Sequence, residues 1–182
     1  RGARRTEGAR IGCAARRSHG VGRGGGKRAW VTSGETRVYH GEWFGPLVTL
    51  QTVAQEKCTT LYGVPTMFIA ELDHPRFAEF DLSSLRTGIM AGAPCPIEVM
   101  RRVNEQMNMR EVTIAYGMTA TSPLSLQSPP DEPLERPVST RGRIQPHCEA
   151  TVVDPEGRRG PRRERGEWGT AGRSVHAGGE EG

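Results

Sequence analysis

Long apolar runs are missing from this 182-residue chain. No stretch approaches the roughly 18 consecutive apolar residues that a membrane-spanning helix requires, and no charged-then-apolar leader precedes a small-residue cleavage site. The sequence therefore reads as that of a soluble, cytoplasmic protein without a membrane span. Cysteine is scarce and scattered: Cys13, Cys58, Cys95 and Cys148 form no Cys-x-x-Cys pair. That spacing excludes a zinc signature, and in a reducing compartment four isolated thiols stay unpaired. The five histidines, at positions 19, 40, 74, 147 and 176, are equally dispersed, so no metal site is expected from them. Leu, Ile, Val and Phe together supply only 32 of the 182 residues, below the roughly 20% at which a chain struggles to order itself.

Those 32 residues are concentrated in one region. Residues 31–159 hold 29 of them, whereas residues 1–30 hold Ile11 and Val21 and residues 160–182 hold Val175 alone. A core can form in the middle of the chain and hardly elsewhere. Charge follows the same division. Residues 1–30 carry eight Arg and Lys27 against Glu7, so the formal net charge of +4 conceals a basic end and an acidic remainder. A basic segment can bind nucleic acid by counterion release, but Arg-Gly-Ala repetition without aromatic stacking groups reads first as unfolded chain, and a nucleic-acid partner is not expected. Gly22-Arg23-Gly24-Gly25-Gly26-Lys27 is not a phosphate loop, because Val21 and Arg28 stand where that motif needs Gly and a hydroxyl.

From residue 46 the pattern becomes regular. Leu50, Val53 and Ala54 recur at helical spacing over about 46–57. Cys58-Thr59-Thr60-Leu61-Tyr62 reads as a strand stopped by Gly63, and Pro65 suits the first position of a helix running to Leu72. A second cycle follows, with a strand at Thr87–Ala91, a turn at Gly92-Ala93-Pro94, and a helix after Pro96. That helix is expected to bury Ile97, Met100, Val103 and Met107. Glu111–Ala115 is the third strand, broken by Tyr116-Gly117. This alternation predicts an α/β fold, a parallel sheet with flanking helices. In such a sheet ligands bind outside the carboxyl edge, where three segments converge: Gly63–Thr66, Gly92–Pro96 and Tyr116–Ser122. Their small and hydroxyl residues let backbone approach a planar or phosphorylated ligand. Residues 127–136 read as a polar, Pro-rich loop. Glu149–Val153 reads as a strand with no helix partner, the start of a separate antiparallel β element.

Tyr116-Gly117-Met118-Thr119-Ala120-Thr121-Ser122-Pro123 resembles the signature loop of the AMP-forming acyl-CoA synthetases, members of the adenylate-forming superfamily. Leu61–Phe68, Ser84–Pro96 and Gly142–His147 resemble segments of the same family, in the same order, and in particular of its medium- to long-chain fatty-acid ligases. The resemblance covers about residues 31–159 and implies part of the large N-terminal domain of such a synthetase. It implies ATP, coenzyme A and Mg2+ as cofactors and a fatty acid as substrate, activated first to an acyl-adenylate and then transferred to the thiol. By motif, Gly92, Ala93 and Pro94 line the adenine and Tyr116 stacks near the base. Gly117, Met118 and the catalytic Thr119 border the α-phosphate and acyl carbonyl, while Tyr62, Val64 and Pro65 shape the acyl side.

The sequence departs from that pattern at chemically decisive places. Ala120 occupies the position of the magnesium-binding Glu, and losing that carboxylate removes an oxygen ligand that a hard cation requires. The hydroxyl-rich phosphate loop, the ribose-binding Asp and the small C-terminal domain with its lysine are not matched, so the chain is expected to be an internal fragment, inactive alone. Residues 1–30 are expected to be a disordered basic segment, 31–159 a partial AMP-binding domain, and 160–182 a degraded or disordered tail. A shifted reading frame at both ends would account for their Gly/Arg-rich composition; translating the DNA in the other frames tests that reading, which fails if neither frame yields the missing segments.

Overall fold

In the computed structural model, which describes residues 9–13, 35–117, 124–130, 142–146, 149–153 and 174–178, the alternation from residue 46 onward takes the expected order. Helix α1 is Pro46–Gln55, strand β3 is Thr60–Gly63, helix α2 is Pro65–Leu72, β4 is Thr87–Ala91, α3 is Ile97–Gln106 and β5 is Glu111–Tyr116. Proline sets the start of each helix: Pro46 and Pro65 occupy a first-turn position, and Pro96 is the N-cap of α3, consistent with its fixed φ and missing N–H. The residues following the C-caps of α1 and α3, Lys57 and Asn108, carry the positive φ that turns the chain out of a helix.

The sheet is larger than the alternation implied. Its order is β2-β1-β3-β4-β5-β6-β7, with β1 at Arg10–Cys13, β2 at Thr36–Tyr39, β6 at Leu126–Gln127 and β7 at Arg143–Ile144. The first five strands in that order are mutually parallel, and β6 and β7 continue it antiparallel. The fold is α/β with a mostly parallel sheet.

Strand β1 corrects the expectation that residues 1–30 lie outside the fold. Gly12 packs closely on β3, where a Cβ would lie 3.3 Å from Leu61 Cδ1, and Ile11 is fully buried. Arg10 is likewise committed to the fold. Its backbone exchanges hydrogen bonds with Thr59, and its guanidinium pairs with Glu56. At the other end, Ser174–Gly178 forms β9, paired antiparallel with β8 at Glu149–Val153 in a separate two-stranded sheet. The antiparallel element expected at Glu149–Val153 is present, and its partner comes from the stretch expected to be a tail.

Alternation along the central strands divides the core. Leu61, Met90, Val112 and Ile114 join Leu50, Val53, Phe68, Leu72, Val99, Met100 and Val103 from the helices in one apolar cluster. Each fully buried side chain of this size contributes roughly 1.5–3 kcal/mol relative to exposure. The opposite face carries a smaller cluster, Ile11 and Tyr62 with Tyr39 and Ile89 packed on it. Helix α3 differs from the predicted stripe at one point. Val99 is buried, whereas Ile97, the first residue of the helix, is only partly so.

Candidate functional site

The register of the parallel strands decides which segments meet. Gly63 pairs with Met90, and Ala91 with Ala115, so β3, β4 and β5 end within a residue or two of one another at a common carboxyl edge. Val64, Gly92 and Gly117 therefore emerge side by side. Gly92 has φ +89°, a conformation that L side chains rarely adopt, and a Cβ there would stand 3.2 Å from Val64 Cγ1. The turn after β4 thus lies directly against the N-cap of α2, and two of the three segments anticipated at this edge are in contact.

What this edge exposes is mostly backbone. Gly92, Ala93 and Pro94 are exposed, Gly117 is exposed, and Tyr116 is half-buried at the end of β5. Tyr62 and Pro65 are buried, and Val64 is intermediate, which makes the first pair packing residues beneath the edge. Met118, Thr119 and Ala120 lie outside the described residues. Exposed small residues beside a half-buried aromatic ring leave backbone that a ligand can approach closely. Among the described residues no three His, Cys, Asp or Glu side chains gather as a metal site.

The amino edge of the same strands is built differently. Arg86 N–H donates to Thr59 O and Glu111 N–H to Arg86 O; the Thr87 hydroxyl donates to Glu111 O at 2.6 Å. Asn108 Nδ2 donates to both Ser83 O and Leu85 O, at 3.0 and 2.9 Å, and Arg86 pairs with Glu111 at 3.4 Å. Polar groups at that edge are consumed in holding the strands together.

Two ionisable groups are shifted by burial, Cys95 at the end of the Gly92–Pro96 segment and Glu71 in the last turn of α2. The Cys95 thiol, 3.3 Å from Met90 Sδ, is pushed up to about 11 and stays protonated at neutral pH. Glu71 on α2 is 1% exposed, and neither carboxyl oxygen has a hydrogen-bond partner among the described residues. Its pKa is raised from 4.5 to about 8 because burial penalises the charged form. The apolar periodicity of α2 placed a carboxylate on the packed face, but no simple pattern announced it as buried. The polar connection between β5 and β6 through Gln127, Thr113 and Ser128 was also missed, since a two-residue strand leaves no periodicity to read.

Comparison with known proteins supplies the context for this geometry. Residues 2–178 match the family model described as AMP-binding enzyme. The chain is 42% identical over 153 residues to the acyl-CoA ligase sidI of Aspergillus fumigatus, covering 84% of this chain and 26% of that protein. It is 43% identical over 137 residues to the mitochondrial medium-chain acyl-CoA ligase ACSF2 of Danio rerio, covering 75% and 23%. Among solved structures, the anthranilate CoA ligase AuaEII in complex with anthranoyl-AMP superposes with a TM-score of 0.76 at 25% identity, covering 88% of this chain and 30% of that one. The chain spans about a quarter of the length of these curated relatives. Among the described residues no helix is long and apolar enough to cross a membrane.

Proposed function

The chain belongs to the family of AMP-binding enzymes, and on that premise we propose that it supplies the nucleotide-side loops of an AMP-forming acyl-CoA ligase. The observation that carries the reading is the convergence of Val64, Gly92–Pro94 and Tyr116–Gly117 at one carboxyl edge, the edge at which open α/β sheets bind ligands. A fatty acid is the substrate class, in keeping with the medium-chain ligase among the relatives.

The reaction has two displacements. The fatty-acid carboxylate attacks the α-phosphorus of ATP, the bond to pyrophosphate breaks, and an acyl-adenylate forms. The sulfur of coenzyme A then attacks the acyl carbonyl, the thiol proton is lost, and AMP leaves. In this scheme the backbone of Gly92, Ala93 and Pro94 lies along the adenine and Tyr116 stacks near it. Gly117, Met118 and Thr119 border the reacting phosphate and carbonyl, with the Thr119 hydroxyl available as a donor to negative charge developing there. The donor set does not fit Mg2+ at the expected position, because the Ala120 side chain has no carboxylate oxygen, and no step is assigned to a metal. With that carboxylate replaced and the phosphate-loop and ribose-binding segments also unmatched, the 182-residue chain is a binder of adenine nucleotide rather than an independent catalyst.

Two measurements test this. Equilibrium titration with AMP should show saturable binding that Gly92→Val weakens at least tenfold. ATP–pyrophosphate exchange with a fatty acid should stay at background for the chain and for Ala120→Glu. Robust exchange by the unaltered chain would overturn the claim of inactivity, and absence of any AMP binding would overturn the nucleotide assignment.

A further inference from the structure

Beyond β5 the sheet changes from parallel to antiparallel, and the join is made by side chains as much as by backbone. The β5–β6 ladder has two residue pairs, Ala115 with Gln127 and Tyr116 with Leu126, too few for a stable ribbon by themselves. Backbone bonds extend it a little: Ser125 N–H donates to Tyr116 O at 2.9 Å and Ser128 N–H to Ile114 O at 3.0 Å. The remainder is a polar chain. Gln127 Nε2 donates to Thr113 Oγ1 at 2.9 Å, and the Thr113 hydroxyl donates onward to Gly88 O at 3.4 Å. From the other side, Gln145 Nε2 donates to Gln127 Oε1 at 3.4 Å. One glutamine side chain thereby links the end of β7, through β6 and β5, to β4.

The arrangement is closely constrained. Thr113 is fully buried, so its hydroxyl depends on this pairing. Gly142, with φ +79°, presses on the same place, where a Cβ would fall 2.2 Å from Gln127 C and 2.3 Å from Ser128 N. Gln127 is thus held at both its side chain and its backbone, directly across the ladder from the segment that ends in Tyr116.

We propose that Gln127 is a positioning residue for Tyr116 and Gly117: by tying β6 to Thr113 it fixes the end of β5 at the height where those residues meet adenine nucleotide. The proposal rests on the reading of Tyr116 and Gly117 as nucleotide-side residues, and its first readout is independent of that reading. Hydrogen exchange of the Ser125 amide reports the hairpin directly. In Gln127→Leu and in Thr113→Val it should accelerate about tenfold, with exchange in β3 unchanged. The double variant should be no faster than the faster single, and Thr113→Ser, which restores the hydroxyl, should return the wild-type rate. AMP affinity should fall in parallel in the first two variants and recover in Thr113→Ser. Unchanged Ser125 exchange in Gln127→Leu, or additive effects in the double variant, would overturn the proposal. Faster Ser125 exchange with undiminished AMP affinity would overturn it too, since the hairpin would then matter only for stability. A wild-type chain that binds no AMP, yet shows the coupled exchange response, would refute the nucleotide reading while supporting the role of Gln127 in holding β5. If Gln127→Leu does not fold, Thr113→Val and Thr113→Ser carry the same test.

Discussion

The amino and carboxyl edges of β3, β4 and β5 belong to the same strands yet are finished in opposite ways. At the amino edge Thr87, Asn108, Arg86 and Glu111 spend their polar groups on neighbouring strands and turns. At the carboxyl edge the chain ends in Gly92-Ala93-Pro94 and Tyr116-Gly117, exposed or half-exposed. On the proposed reading, the difference separates the edge that serves stability from the edge that serves binding. One edge is closed by side chains that satisfy each other, and the other is left as accessible backbone on a frame that the closed edge and the helices keep rigid.

The largest expected effect concerns that frame. Glu71 is buried in α2 with a folded-state pKa of about 8 against an ordinary 4.5. A raised carboxyl pKa means that the folded state holds its proton more tightly, so stability is greatest below the ordinary pKa and falls as pH rises from about 4.5 to about 8. Above that it levels off, and the total loss is at most about 5 kcal/mol. Glu71→Met, which fills the same space without a charge to bury, should remove that slope and raise the urea midpoint at pH 8. Chemical denaturation between pH 5 and 8 measures both, and a slope that persists in the variant would show another group to be responsible.

A smaller pair of changes bears on the comparison itself. Asn108→Ala removes two hydrogen bonds at the amino edge and places alanine at φ +57°. It should cost about 1–2 kcal/mol of stability and leave AMP affinity within about twofold. Gly92→Ala should cost about 1–2 kcal/mol, through the strained φ of +89° and the contact with Val64, and should in addition lose affinity. If both variants lose stability and affinity alike, the two edges are not functionally distinct. Smallest is Arg101→Ala, which breaks an exposed pair with Glu98 at 2.6 Å. Thermal melting should register less than about 0.5 kcal/mol, with no change in binding.

The centre of this fold was legible because each element from Pro46 to Tyr116 carries its own signal. Pro46, Pro65 and Pro96 mark where helices start, Gly63, Gly92 and Gly117 mark where the three strands end, and the apolar residues of the helices keep a 3.6-residue period. The flanking strands were not legible for a physical reason. Strand β1 is four residues long and is held by the buried Ile11 and by Arg10, which bonds to Thr59 and pairs with Glu56; β6 and β7 are two residues each and are held by Gln127, Ser128 and Gly142. Order there comes from partners distant in sequence, which no local pattern records. The candidate site was readable as an edge and, through its motif, as a set of loops. The burial of Glu71 and the link through Gln127 required the packed structure.

The most direct test of the account is amide chemical-shift perturbation of the full chain on titration with AMP, read at both ends of the same three strands. The account predicts saturable shifts at Gly63, Gly92, Tyr116 and Gly117, with Thr60, Thr87 and Glu111 undisturbed. Shifts concentrated at Thr60, Thr87 and Glu111, or none at either edge at saturating nucleotide, would contradict it.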